Sequence, residues 1–195
     1  MYRELYFPTP IYIADLNEEG LNEQLERDII AWANRDKGLN RTNIKGWHSD
    51  TNMNELPEYK RLIDLLFEAQ RTIYQQEHLD SEPYLGNMWA NINPPGGYNK
   101  AHVHPNAVFS GVYYVKTPPK SGNLICNDPR PGIQTCMPNR IKVEPPKHLW
   151  REIHLQPQEN RAIIFPAWLW HTVEPNQSTE SRISVSFNFI QNGFQ

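Results

Sequence analysis

At 195 residues, with 19 Lys+Arg against 22 Asp+Glu and a formal charge of −3, the chain has the length of one domain. It lacks the basic surplus of a nucleic-acid groove or a polybasic membrane patch. No stretch approaches the ~18 consecutive apolar residues of a membrane span, and Met1 to Pro8 lack the basic segment and apolar run of a secretory signal, so a cytoplasmic protein without membrane contact is expected.

Two cysteines, Cys126 and Cys136, are too few for a disulfide framework and are expected as reduced thiols. Six Trp, nine Tyr and seven Phe supply bulk for a core, while 17 prolines suit short strands and turns better than a helical bundle.

The first 83 residues read as a short strand and two helices. Phe7 to Ile13 is aromatic and β-branched but interrupted by Pro8 and Pro10, which suits an edge strand. Asn17 can cap a helix whose apolar residues Leu21, Leu25, Ile29 and Trp32 recur at helical spacing, with Gly38 just beyond its end. A polar stretch containing Trp47, His48 and Ser49 follows, and these three are expected to fold back over the mouth of any site. A second helix should start near Pro57, with the stripe Tyr59, Leu62, Ile63, Leu66 and Ile73.

From residue 84 the texture changes to short β-branched and aromatic runs between Pro, Gly and Asn clusters. The predicted strands are Asn87–Asn93, Ala101–His104, Val108–Lys116, Asn123–Cys126, Ile141–Val143, Trp150–His154, Arg161–Phe165 and Arg182–Ile190. The fold class is mainly β, a sandwich, jelly roll or small barrel with the two helices over one face. Residues 1–195 form one domain in this reading, 1–83 as cover and 84–195 as core.

His102 and His104 stand two apart in a predicted strand, where residues i and i+2 face the same side, so both imidazoles can converge on a metal. His171 follows the buried run Ala162 to Phe165, in a setting rich in apolar residues and tryptophan. Trp168 and Trp170 are expected in the core. The last strand alternates without a break. Arg182, Ser184, Ser186 and Asn188 share one face, and Ile183, Val185, Phe187 and Phe189 the other. If the polar face lines a cavity, Arg182 offers a planar fork for a carboxylate and Ser184 a further hydrogen bond.

The set His102-x-His104, Ser110 to Val115, Phe165-Pro166 with His171, and Arg182-x-Ser184 eleven residues on resembles the iron(II)- and 2-oxoglutarate-dependent oxygenases. The closest likeness is to a small branch of about this length related to the prolyl hydroxylases. The resemblance implies a double-stranded β-helix, or jelly roll, and a hydroxylase that decarboxylates 2-oxoglutarate to succinate. Its partners would be 2-oxoglutarate, dioxygen and a substrate that the residues do not reveal. It also implies that His102 and His171 ligate Fe(II), that Arg182 with Ser184 binds the far carboxylate of 2-oxoglutarate, and that Tyr114 offers its hydroxyl to the same group. Asn91 and Asn93 are further cosubstrate candidates from the strand before the first ligand.

The family motif has Asp or Glu where this chain has His104. His104 as a direct third ligand is the preferred reading. Asp128 reaching in from a later strand end, or water completing a two-histidine site, are the others. Two functions compete with the hydroxylase: a three-histidine cupin-type dioxygenase that does not use 2-oxoglutarate, and a non-catalytic jelly-roll metal-binding interaction protein. The Arg182/Ser184 face separates the first from the hydroxylase, and metal content with turnover separates the second. Arg130 and Arg140, in the Pro-rich stretch 127–147, are expected on a solvated rim.

Overall fold

The alternation along the last strand organises the whole molecule. In the computed structural model, which describes residues 1–79, 84–132, 135 and 138–190, eleven strands form two antiparallel sheets that face each other as a jelly roll. In chain order these are β1 (Tyr12–Asp15), β2 (Asn43–Ile44), β3 (Trp47–His48), β4 (Tyr84–Asn93), β5 (Tyr98–His102), β6 (Phe109–Lys116), β7 (Leu124–Asn127), β8 (Glu152–Leu155), β9 (Arg161–Pro166), β10 (His171–Val173) and β11 (Arg182–Ile190). The larger sheet runs β1-β9-β6-β11-β4-β3 and the smaller β2-β5-β10-β7-β8.

Helices α1 (Leu21–Arg35) and α2 (Lys60–Gln76) cover the outer face of the larger sheet. Their stripes, with Leu25, Ile29, Leu62 and Leu66 fully buried, pack on Val185, Phe187 and Phe189 of β11 and Tyr113 of β6. Each such aliphatic side chain contributes roughly 1.5–3 kcal/mol over its exposed state. Gly111 of β6 sits opposite Phe187, and a Cβ there would collide with the phenyl ring. Because side chains alternate across a strand, the apolar packing of β11 sends Arg182, Ser184 and Ser186 to the inner face. That face, toward the smaller sheet, lines a cavity.

Several boundaries differ from those the sequence predicts. Asn17 does not cap α1. It adopts φ 43° in the turn leaving β1, and the helix begins after Gly20 at φ 75°. Asparagine tolerates that left-handed conformation because its short polar side chain can bond the local backbone. Pro57 opens a 3-10 turn that leads into α2. Residues 141–143 are not a strand, with Ile141 and Val143 exposed. The Val143 N–H instead bonds the Ile141 carbonyl at 2.8 Å, a local turn in place of a strand pairing.

β5 ends at His102, so His104 lies just past the strand. Trp168 and Trp170 are about half exposed and do not pack in the core. Cys126 is a buried free thiol, and Cys136 lies outside the described residues. Among the described residues no helix is long and apolar enough to cross a membrane.

Candidate metal centre and anion pocket

His102 ends β5 and His171 begins β10, and the antiparallel register sets them directly opposite each other. His104 joins them from the loop, its backbone N–H held by the Ala167 carbonyl at 2.9 Å. One nitrogen from each of the three imidazoles lies within 4.8 Å of the others.

The orientation of two rings is fixed from behind. His102 Nδ1 lies 2.7 Å from the Lys100 carbonyl and His171 Nδ1 2.8 Å from the Leu169 carbonyl. A carbonyl only accepts, so each Nδ1 carries the proton and each Nε2 keeps its lone pair for the interior. His104 Nε2 lies 3.3 Å from His171 Nε2. Two nitrogens each ~2.1 Å from one metal, at right angles, stand ~3 Å apart. The cluster therefore fits a metal ion, and a cation at the shared point would satisfy all three lone pairs.

Burial also holds these rings neutral. It pushes His104 down to about 3, aided by repulsion from His171 and His102, and His171 down to about 4, aided by His102. His102 is lowered by burial, against the Lys100 carbonyl bond. Neutral imidazole is the form that ligates. Between the folded and ordinary values the unfolded chain binds more protons, so the stability these rings contribute is present above pH ~6.5 and lost as pH falls toward 4. Metal-free protein is therefore expected to lose denaturant stability on acidification through that window. His104→Gln should show a shallower loss in urea melts taken across the same pH range.

A second cluster lies in the same cavity. Antiparallel register aligns Arg182 with Asn93, and Ser184 with both Asn91 and Tyr114. All five side chains are buried, Arg182 at 2% exposure. The guanidinium Nη1 donates to the carbonyls of Ser121 at 2.5 Å and Gly122 at 3.0 Å. Gly122, at φ 89° and crowded by the Glu174 carbonyl, leaves no room for a side chain in this turn. Among the described residues no carboxylate pairs with Arg182. A buried cation answered only by carbonyls is costly unless an anion completes it.

Burial holds the Tyr114 phenol up at about 12, with Arg182 opposing, so its hydroxyl remains a donor. Asn91 donates to Ser186 Oγ at 3.0 Å, while its Oδ1 is buried without a partner. Asn93 donates to Asn99 Oδ1 at 3.4 Å.

The cavity that holds both clusters measures about 360 Å³. Among the described residues its charged lining is Arg41 and Arg182, without a carboxylate. Sequence reasoning missed Arg41 and Trp89. The alternation Asn87, Trp89, Asn91, Asn93 along β4 was the available signal for Trp89, since all four share the inner face. His48 lines the cavity wall, stacked on Trp89 with ring centroids 5.4 Å apart, while Trp47 turns away to pack on Trp32.

Asp128 does not reach the histidines. It pairs with Arg130 at 2.7 Å beside a separate cavity of about 370 Å³ that also involves residues 5–9 and β8. Among the described residues, His102, His104 and His171 are the group whose geometry can hold a metal.

Residues 87–188, just over half of the chain, match a family described as "Putative 2OG-Fe(II) oxygenase". Solved structures show the same fold. A prolyl-4-hydroxylase from Pseudomonas putida superposes with a TM-score of 0.64 at 14% identity, over 95% of this chain and 94% of that one. The viral collagen prolyl hydroxylase of Paramecium bursaria Chlorella virus-1, solved as a 2-oxoglutarate complex, gives 0.58 at 15% identity over 93% and 96%. HygX from Streptomyces hygroscopicus, with nickel, 2-oxoglutarate and hygromycin B bound, gives 0.64 at 10% identity over 96% and 85%. A search of curated proteins found no significant match.

Proposed function

Because the chain belongs to the 2OG-Fe(II) oxygenase family, we propose that it holds iron(II) on His102, His104 and His171, binds 2-oxoglutarate against Arg182, and hydroxylates a further molecule. The observation that carries this reading is the buried Arg182, with no carboxylate partner among the described residues, in the same cavity as three neutral, converging imidazoles. When bound, iron and 2-oxoglutarate supply the oxidative chemistry, in which dioxygen is consumed, 2-oxoglutarate yields succinate and carbon dioxide, and a C–H bond of the substrate is hydroxylated.

The chain's own residues orient and shield. Lys100 and Leu169 carbonyls lock two of the ligand rings. Arg182, with the hydroxyls of Ser184 and Tyr114, offers charge-assisted hydrogen bonds to the far carboxylate of 2-oxoglutarate. Asn91 and Asn93 stand on the neighbouring strand as further polar contacts for it. A three-histidine enzyme that did not use 2-oxoglutarate would have no need of a buried arginine whose partners, among the described residues, are carbonyls alone.

Anaerobic titration tests the reading directly, since iron(II) chelated by 2-oxoglutarate gives a weak visible charge-transfer band that either component alone lacks. In a parallel melt, divalent metal is expected to raise the melting temperature, and 2-oxoglutarate to raise it further only when metal is present. A ligand confined to the native state stabilises it by about 2.7 kcal/mol at one hundred times its Kd. An equal cosubstrate shift in metal-free protein would point to a plain anion pocket.

A further inference from the structure

The cavity has a second cation whose role the metal and cosubstrate do not absorb. Arg41 is exposed, lines the cavity mouth, and among the described residues forms no ion pair. Its position is nonetheless built. The Arg41 N–H donates to Asn43 Oδ1 at 2.8 Å, and the buried Asn43 amide in turn donates to the carbonyls of Leu39 and Gly46. The next residue, Thr42, accepts the Lys100 N–H at 3.0 Å, and β2 pairs with β5 through Asn43 opposite Asn99. Arg41 is thereby tied to the strand that ends in His102. Its charge also reaches the cavity wall, where burial lowers the His48 imidazole and Arg41 adds a smaller push in the same direction.

Three features then define what could sit between Arg41 and the histidines. Among the described residues the lining carries two cations and no carboxylate, in a protein whose net charge is −3. His48 and Trp89 form a buried aromatic stack in the cavity lining, their rings within 8° of parallel and 5.4 Å apart between centroids, and Trp89 also leans on His104 at 5.8 Å between centroids. The volume of about 360 Å³ is at the low end of the roughly 300–1,000 Å³ typical of ligand pockets, and 2-oxoglutarate must share it.

Resting on the oxygenase reading above, we infer that the substrate is a small molecule bearing a carboxylate or phosphate group, that Arg41 binds this group at the mouth, and that the body of the molecule lies along Trp89 and His48. An uncommitted guanidinium on a pinned loop loses little backbone freedom on binding, and its planar fork matches both oxyanions.

The test reads binding under argon, on protein saturated with manganese(II) and 2-oxoglutarate. Matched probes are short carboxylic acids against their primary amides, and phosphate monoesters against their parent alcohols. At least one anionic series should raise the melting temperature while its neutral counterparts do not, and whichever responds identifies the oxyanion. Arg41→Met should weaken the responding probe at least tenfold, a larger change than in 2-oxoglutarate affinity, and Arg41→Lys should recover part of it. The inference is overturned if neutral and charged probes act equally, if neither series shifts the wild type, or if the response survives Arg41→Met. Failure of the underlying oxygenase reading looks different, because metal-dependent stabilisation by 2-oxoglutarate would then be missing before any probe is added.

Discussion

Arg182→Met is expected to weaken 2-oxoglutarate binding by roughly 30- to 3,000-fold while leaving metal affinity close to that of the wild type. Truncating one partner of a buried, hydrogen-bonded charge pair costs about 2–5 kcal/mol, and each 1.4 kcal/mol is a factor of ten. Arg182 is 2% exposed and pairs with no carboxylate among the described residues, so an incoming carboxylate would be its first ionic partner. Stability without ligand should move far less. Methionine removes a buried charge, which is favourable, and two hydrogen bonds to the Ser121 and Gly122 carbonyls, which is not. Titrating the anaerobic charge-transfer band against 2-oxoglutarate measures the effect. Unchanged affinity in the mutant would remove the anchor from the proposal.

The other large effect is expected at His104. Replacing it with alanine takes one of three candidate ligands from the cluster, whereas losing a residue that merely orients a ligand already costs about 10–100-fold in metal affinity. His104→Ala is therefore expected to weaken iron(II) or manganese(II) binding by more than about 100-fold. Asp128→Asn should leave it nearly unchanged, because Asp128 is engaged with Arg130 beside a different cavity. His104→Asp would restore two histidines and a carboxylate, the usual oxygenase set, and should retain metal.

Charge separates the two sites further. Three neutral imidazoles leave a divalent ion uncompensated until dianionic 2-oxoglutarate arrives, so metal and cosubstrate should strengthen each other more in the wild type than in His104→Asp. Isothermal titration with each component in the presence and absence of the other reads this coupling. Tight metal binding by His104→Ala would mean that His104 is not a ligand.

Much of this is legible in the amino-acid sequence itself. The unbroken alternation from Arg182 to Phe189 determined which side chains meet the helices and which meet the cavity, because strand geometry permits only two faces and one of them was wholly apolar. The helical stripes of α1 and α2 announced their buried faces in the same way. His102 and His104 were readable as a pair from their spacing, although the strand stops at His102 and the loop, held through Ala167, brings in His104.

What the tertiary structure alone decided are the meetings between distant segments. The register of β10 on β5 sets His171 against His102, and the tautomers come from the Lys100 and Leu169 carbonyls. The turn at Ser121 and Gly122 cradles Arg182, and the pairing of β2 with β5 delivers Arg41 to the mouth. The same holds for Asp128, the less favoured candidate ligand, and for Trp168 and Trp170, which were expected in the core. Asp128 pairs with Arg130 away from the three histidines, and Trp168 and Trp170 stay half exposed in an apolar stretch of sequence. Local pattern specifies which face a side chain takes. Which other side chain waits there depends on register and loop closure between segments far apart in the chain, and no local periodicity encodes those.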